Sequence, residues 1–176
     1  LFRSYSEAIA RALGMGDDFC VCIAHAARLH DIGHAVMHDT LLAHTAAPGS
    51  VEEFMLRQHA QRGSDVLAGT LDRRLQMASE IARCHHEYWN GSGYPAGLRG
   101  TRIPLAARIC TLAEAYDEWT SAQPAQSPTQ IRCRLEAQAG NRFDPALTEA
   151  LIGLVARGAD REIDARALAR SEEHTS

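Results

Sequence analysis

The segment His-His-Glu-Tyr-Trp-Asn-Gly-Ser-Gly-Tyr-Pro, residues 85–95, joins two adjacent histidines to a glycine-rich loop. It overlaps the end of a stretch, about Leu71 to Tyr88, whose apolar residues recur at helical spacing. The loop runs on to Gly100 and holds four glycines and one proline, which free or lock the backbone at set positions. We predict a helix followed by a shaped loop, with both imidazoles bordering one cavity.

Outward from this segment, alanine-rich stretches with helical periodicity dominate, and no convincing run of alternating β-branched residues interrupts them. We therefore predict an all-α fold, a single compact domain of about seven helices. The expected helices before the loop cover about 4–13, 17–30, 50–69 and 71–88, and those after it begin at Pro104 and near Asp144.

Composition limits the class of protein. The chain has 176 residues, 45 % hydrophobic and 23 % charged, which suits a folded domain with a buried core. A formal net charge of −4 without a basic stripe argues against a nucleic-acid polymer as partner. No apolar run approaches the ~20 residues of a membrane span. The five scattered cysteines lack a C-x-x-C pair, which suits a reducing cytoplasm and a role as small core hydrophobes.

Both ends of the chain carry signs of truncation. The sequence begins at Leu1 rather than Met, so we expect the natural N-terminus to be missing. Residues 170–176 match the translation of a widely used sequencing adapter, so we interpret them as an artefact and give His174 no role. The predicted domain therefore covers residues 1–169.

Adjacent His30 and Asp31 form a second candidate element at the end of a predicted helix. Such a pair can bind one metal ion through the imidazole while the carboxylate bridges to a second, although the dipeptide alone is weak support. His59 is predicted to face the core, because it recurs with Met55, Gly63 and Val66 at helical spacing.

A buried imidazole either binds a metal or bonds a backbone carbonyl, and the sequence leaves both readings of His59 open. Glu114 and Asp117 lie one turn apart on one side of the helix from Pro104, beside its apolar stripe of Leu105, Ile109, Leu112 and Tyr116. A solvated acidic face is the alternative interpretation of these two carboxylates.

Together the candidate ligands suffice for two divalent metal ions. They combine imidazole and carboxylate without thiolate, a set that favours Fe, Mn or Zn. Two adjacent metal ions activate water and clamp a phosphoryl group, which is phosphoesterase chemistry. The candidate ligands are His30, Asp31, His59, His85, His86 and Glu114.

Four motifs make the chain resemble the HD-GYP family of HD-domain phosphohydrolases: L-H-D-I-G at 29–33, Q-H-x-x-x-G at 58–63, the segment at 85–95, and I-P-L-A-A-R-I at 103–109. The resemblance covers about Leu13 to Leu154. It implies an all-helical domain with a two- or three-metal centre, Fe or Mn, which degrades the bacterial messenger cyclic di-GMP. It also implies a cytoplasmic protein, an upstream sensory or receiver domain, and a GGDEF-type partner at the loop.

The resemblance also implies roles for individual residues. It puts the six candidate ligands at metal positions, with Asp31 bridging and Glu114 standing where the family has Asp. It places Asp31 and His34 at catalytic positions. The implied substrate-binding and signature-loop residues are Asn90, Gly91, Gly93, Tyr94, Pro95 and Arg108.

Several positions depart from the family pattern. His34 replaces a lysine that assists the substrate phosphate, and Asn90 replaces the loop's usual aspartate. Gln123 and Gln126 stand where R-P-Y-R has its two arginines, and a first-helix histidine would fall just before Leu1. Each lost phosphate contact costs about 1.5–3 kcal/mol of binding.

Three functions therefore stay open at this stage. The first is a metal-dependent cyclic dinucleotide phosphodiesterase, favoured by the retained metal ligands. The second is a degenerate domain that acts as a regulatory or protein-binding module. The third is a phosphohydrolase with an altered nucleotide substrate, since the metal ligands are retained better than the phosphate-binding positions.

Overall fold

The computed structural model describes residues 2–38, 46–124 and 126–158. Within these ranges the chain forms seven α-helices, no strand and one isolated bridge between Ala139 and Phe143, so the all-α prediction is confirmed. None of the described helices is long and apolar enough to cross a membrane. Residues 170–176 lie outside the described residues. The helices are α1 (Phe2–Ala12), α2 (Asp17–Ala26), α3 (Val51–Leu67), α4 (Arg73–Cys84), α5 (Leu105–Ser121), α6 (Pro128–Gln138) and α7 (Pro145–Ala156).

Side-chain caps fix where several helices begin. The Ser50 hydroxyl accepts the Glu53 N–H at 3.1 Å at the start of α3, and Asp72 accepts the Arg74 N–H at 2.7 Å at the start of α4. The Ser50-Val51-Glu52-Glu53 sequence is typical of a capping box, but only half of it forms, because the Glu53 carboxylate accepts the Gly49 N–H instead of the Ser50 N–H. Each cap satisfies a backbone donor that the first turn of a helix leaves free.

Helix α5 runs through the core. The stripe predicted for it is buried or half-buried, and Tyr116 meets Tyr5 of α1 edge-on at 4.9 Å between ring centroids. Helix α1 packs on α2, α5 and α7, while α4 packs on α2, α3 and α5. The core therefore holds the helices that flank residues 30–31, 59 and 85–86 in one packed unit.

The cysteine prediction is partly wrong. All five thiols are free, and Cys20, Cys84 and Cys110 are buried as expected of small core hydrophobes. Cys22 is only half-buried and Cys133 is exposed on α6. The Cys22 thiol lies against the Arg73 carbonyl at the start of α4, at 3.6 Å.

Two predicted helix ends and one predicted stripe need correction. Helix α2 ends at Ala26, and a 3-10 turn over Ala27–Leu29 follows it. Helix α4 ends at Cys84 rather than near Tyr88, so the two histidines follow the helix instead of sharing its faces. On α3, His59 and Gly63 are buried, but Met55 and Val66 are 40 % and 51 % exposed. The buried side of α3 is a narrow strip formed by His59, Ala60 and Gly63, so Met55 and Val66 fall outside it.

A close backbone contact joins the turn after Asp31 to α3. Gly33 lies in a second 3-10 turn, Ile32–Val36, and a Cβ at this position would come within 1.9 Å of the His59 carbonyl oxygen. It would also lie 2.7 Å from the Gly63 nitrogen. Only glycine allows this approach, which sets the distance between Asp31 and His59.

The glycine-rich loop is anchored on a buried carboxylate. Glu87 is 2 % exposed and accepts the N–H groups of Ala96 at 2.7 Å and Leu98 at 2.9 Å. Gly93 lies directly against the backbone of His86 and Tyr88, where a Cβ would come within 2.4 Å. The loop is therefore a fixed part of the fold that folds back on His86.

Replacing Gly33 by alanine tests the contact between the turn and α3. We expect Gly33→Ala to lower the free energy of unfolding by at least about 2 kcal/mol, because its Cβ meets backbone atoms that cannot move aside. Gly153→Ala in α7 is the control: its Cβ meets only the end of the Arg157 side chain, at 3.5 Å, so stability should rise by about 0.5–1 kcal/mol. Urea unfolding measures both, and equal stabilities would contradict the contact.

Replacing Glu87 by glutamine tests the loop anchor. We expect Glu87→Gln to lower the free energy of unfolding by about 1.5–3 kcal/mol, because the amide has one acceptor oxygen for two N–H groups and carries no charge. Hydrogen exchange at the Ala96 and Leu98 amides should accelerate selectively. Glu80→Gln, an exposed change on α4, should leave the free energy of unfolding within about 0.5 kcal/mol of the parent protein and the exchange of both amides unchanged. Unchanged exchange in Glu87→Gln would show that the loop is held elsewhere.

Candidate metal centre

Three histidines are oriented by the same local hydrogen bond. In each, Nδ1 contacts the carbonyl oxygen three residues earlier: His30 to Ala27 at 2.9 Å, His59 to Leu56 at 2.7 Å, and His85 to Ala82 at 2.9 Å. A carbonyl can only accept, so Nδ1 carries the hydrogen in all three rings. In the neutral ring, Nε2 then presents a lone pair away from the backbone, which is the arrangement typical of metal-binding histidines.

The Nε2 atoms of three rings converge on one point. Those of His59 and His85 are 3.3 Å apart, and those of His59 and His86 are 3.1 Å apart. Two ligands on one ion at metal–nitrogen distances near 2.1 Å are about 3.0–3.4 Å apart, so the spacing fits a shared metal. Because the lone pairs of His59 and His85 face each other, a cation between them removes their repulsion.

Asp31 lies between two groups of ligand atoms. Its Oδ1 is 3.5 Å from the Nε2 of both His59 and His85, and its Oδ2 is 3.1 Å from the Nε2 of His30. The carboxylate of Glu114 on α5 lies 3.7 Å from that same His30 nitrogen. The ligand atoms in each group lie within 4.8 Å of one another. One group is Asp31, His59, His85 and His86, and the other is His30, Asp31 and Glu114.

The protonation states of the site suit cation binding. Burial lowers the pKa of His59 and lowers that of His86 to about 2, so both rings are neutral at pH 7. Burial also opposes charge on His30, but hydrogen bonds to Asp31 and Glu114 outweigh it and raise the pKa of His30 to about 10. Burial alone would raise the pKa of Asp31, yet His30 and His85 hold it well below its usual range. Two carboxylates thus retain a proton on His30 that a bound cation would replace.

His34 lies at the rim of the first group. Its ring stacks on His59 at 4.2 Å between centroids, and its Nε2 is 3.7 Å from Asp31 Oδ1. Its Nδ1 is buried and has no hydrogen-bond partner among the described residues. The structure therefore brings His34 to the rim of the centre, where its side chain is 35 % exposed.

Among the signature-loop residues, Tyr94 contacts the centre, whereas Asn90, Gly91 and Pro95 shape the loop or are exposed on it. Tyr94 stacks on His86 at 4.7 Å, and its N–H donates to the His86 carbonyl, so this residue borders the centre. Gly91 has a positive φ of 84°, which shapes the turn. Asn90 accepts the N–H and hydroxyl of Ser92 and is exposed, so its side chain is engaged within the loop. Pro95, also exposed, follows Tyr94 through a cis peptide bond.

Arg108 occupies a different environment from the one expected of a substrate-binding residue. Its guanidinium is paired with the buried carboxylate of Asp144, the N-cap of α7, and its Nε donates to the Ile103 carbonyl. The Arg108 side chain is 14 % exposed. We therefore assign Arg108 to joining α5 to α7 rather than to binding substrate.

Sequence reasoning missed three side chains around the centre. The Thr111 hydroxyl donates to the His85 carbonyl at 2.6 Å, which ties the histidine pair to α5. The guanidinium of Arg57 lies over the Tyr94 ring, and that of Arg142 lies over Tyr88. For Arg57 the sequence did offer a signal: it lies two residues before His59 and four residues after Glu53 on α3, which is the spacing of a helical ion pair.

Comparisons with known proteins identify the family of this chain. A family model for the HD domain matches residues 1–147. The 3'3'-cGAMP-specific phosphodiesterase 2 of Vibrio cholerae is 34 % identical over 151 residues, which cover 84 % of this chain and 29 % of that protein. A cyclic di-GMP phosphodiesterase of Thermotoga maritima is 36 % identical over 155 residues, which cover 85 % of this chain and 41 % of that protein.

The fold matches a solved structure as well. A cyclic GMP-AMP-specific phosphodiesterase of Vibrio cholerae superposes with a TM-score of 0.66 at 22 % identity, over 88 % of this chain and 42 % of that chain. The present chain spans less than half the length of these relatives. The family match over residues 1–147, with the H-D-I-G and G-Y-P motifs, shows that the chain belongs to the HD domain family, in its HD-GYP branch.

Proposed function

We propose that this chain is a metal-dependent phosphodiesterase that hydrolyses a cyclic dinucleotide in bacterial second-messenger signalling. The observation that carries the proposal is the position of Asp31, whose two oxygens face two separate groups of ligand atoms. A carboxylate in this position can bridge two metal ions. The relatives named as cyclic di-GMP and 3'3'-cGAMP phosphodiesterases support the substrate class. Cyclic di-GMP is the substrate that we propose first.

The donor set suits two divalent ions, and we propose Fe or Mn. His59, His85 and His86 would hold one ion and His30 with Glu114 the other, with Asp31 shared between them. Imidazole and carboxylate ligands without thiolate suit these metals. Once bound, such a pair supplies a nucleophile at neutral pH and positive charge beside the phosphorus.

Protein side chains prepare the centre for this chemistry. Asp31 and Glu114 supply the negative charge of the centre. The carbonyls of Ala27, Leu56 and Ala82 hold the three histidine rings in position. The His34 side chain is 35 % exposed and lies beside Asp31, so we propose that its ring donates a hydrogen bond to a substrate phosphate oxygen. An imidazole is shorter than a lysine and is not permanently charged, so this contact is weaker than the family's usual one.

A regulatory module with little catalysis is the second candidate, and one observation favours it. The Gln126 side chain accepts a hydrogen bond from Arg134 at 3.0 Å, so its oxygen is already engaged at a position where the family has an arginine. An altered nucleotide substrate would explain the same losses. The cytoplasmic location, the upstream sensory domain and the GGDEF-type partner remain predictions.

Metal content tests the assignment of the two groups. Protein purified without oxygen or chelator should hold about two equivalents of Fe or Mn per chain by elemental analysis. His59→Ala and Glu114→Ala should each lose about one equivalent, because they remove ligands from different groups. Asp31→Asn should lose more than either. His25→Ala, an exposed change on α2, should keep both metals. A folded protein without bound metal would contradict the catalytic assignment.

Turnover of cyclic di-GMP, with 3'3'-cGAMP beside it, tests the function itself. The parent chain should produce linear dinucleotide, and Asp31→Asn should not. His34→Lys should lower KM about tenfold, because it adds a permanent charge for the phosphate. His25→Lys changes the net charge equally on an exposed surface and should have no effect. A fall in metal content in His34→Lys would instead show that His34 is a metal ligand.

A further inference from the structure

Arg57 is held in place on the first turns of α3 by a local ion pair. Its Nη2 lies 2.6 Å from Oε1 of Glu53, one helical turn earlier. The other oxygen of Glu53 accepts the Gly49 N–H at 2.6 Å. Glu53 is therefore fixed at both oxygens, and it engages only one edge of the guanidinium. The Arg57 side chain is 47 % exposed, so its remaining donors are accessible from solvent.

The guanidinium of Arg57 is also part of a stack that leads to the metal centre. It lies 4.8 Å from the centroid of the Tyr94 ring, a cation–π distance. Tyr94 in turn stacks on His86 at 4.7 Å and an interplanar angle of 24°. One aromatic ring thus separates Arg57 from a candidate metal ligand. The ring and the ion pair together hold the guanidinium at the rim of the centre.

A cyclic dinucleotide has two phosphodiesters, and only one can react at the metals at a time. The second needs a partner elsewhere, and the chain lacks cations at positions 34, 123 and 126. Arg142 is less suited to this role than Arg57, because its Nε is buried and the guanidinium lies between Tyr88 and Phe143. Arg57 is accessible, charged and close to the loop that borders the centre.

We propose that Arg57 binds the non-reacting phosphate of the cyclic dinucleotide, with Tyr94 and Glu53 positioning its guanidinium. This inference rests on the proposed function and adds a residue that determines substrate size. The planar guanidinium can present two parallel N–H groups to one phosphate, a geometry that favours arginine over lysine. Selectivity for substrates with two phosphates follows, because a single phosphodiester bound at the metals does not reach Arg57.

Two substrates and three variants test this assignment. The substrates are cyclic di-GMP and bis(p-nitrophenyl) phosphate, which has one phosphodiester. Arg57→Ala should raise KM for cyclic di-GMP about tenfold to a hundredfold with little change in kcat, and KM for the single phosphodiester by less than about threefold. Arg57→Lys should recover part of the loss. The control is Arg132→Ala, which removes an equivalent i, i+4 ion pair on α6 and should change neither KM.

Metal content and direct binding complete the test. Arg57→Ala should keep its full metal content, and its affinity for cyclic di-GMP by calorimetry should fall by the same factor as KM rises. An equal loss for both substrates, or no loss for cyclic di-GMP, overturns the assignment of Arg57. If the parent chain binds cyclic di-GMP without hydrolysing it, the proposed catalysis fails while a lower affinity in Arg57→Ala still supports the assignment. If the parent chain does not bind it at all, both proposals are wrong.

Discussion

The centre depends on a short hydrogen bond made three times, from a histidine Nδ1–H to the carbonyl three residues earlier. The acceptor is a backbone carbonyl three residues earlier in the chain, so the bond forms without any distant partner. It fixes the tautomer and turns Nε2 towards the interior. His30, His59 and His85 come from three different elements, yet the same local geometry gives each the form that binds a metal.

The other contacts set how far apart these rings lie. The approach of Gly33 to the His59 carbonyl sets the spacing between Asp31 and α3, and Thr111 ties the His85 carbonyl to α5. The buried Glu87 folds the loop back so that Tyr94 covers His86. Residues that offer no metal ligand thus decide whether the six candidate ligands come together.

Sequence patterns predicted the helical class, the approximate helix positions and the residues that the structure brings together around Asp31. They succeeded because imidazole and carboxylate are rarely grouped without a chemical reason, and because helical periodicity is a local property. The end of α4 at Cys84 and the exposure of Met55 and Val66 were not predictable, since both depend on what packs against each helix. Arg108 shows the same limit: only the folded chain reveals Asp144 as its partner. The role proposed for Arg57 likewise rests on the position of Tyr94, 37 residues further along the chain.

The interlocked backbones of Gly33, His59 and Gly63 also bear on how fast a bound ion can leave. Asp31 and His59 cannot move apart while this contact is intact, because no flexible side chain separates the two backbones. An ion held between them would therefore lose one of these ligands only by rotation of a side chain or by local opening of the turn from α3. The packing of this turn on α3 would thus limit how far the two ligands can separate, whatever the stability of the rest of the domain.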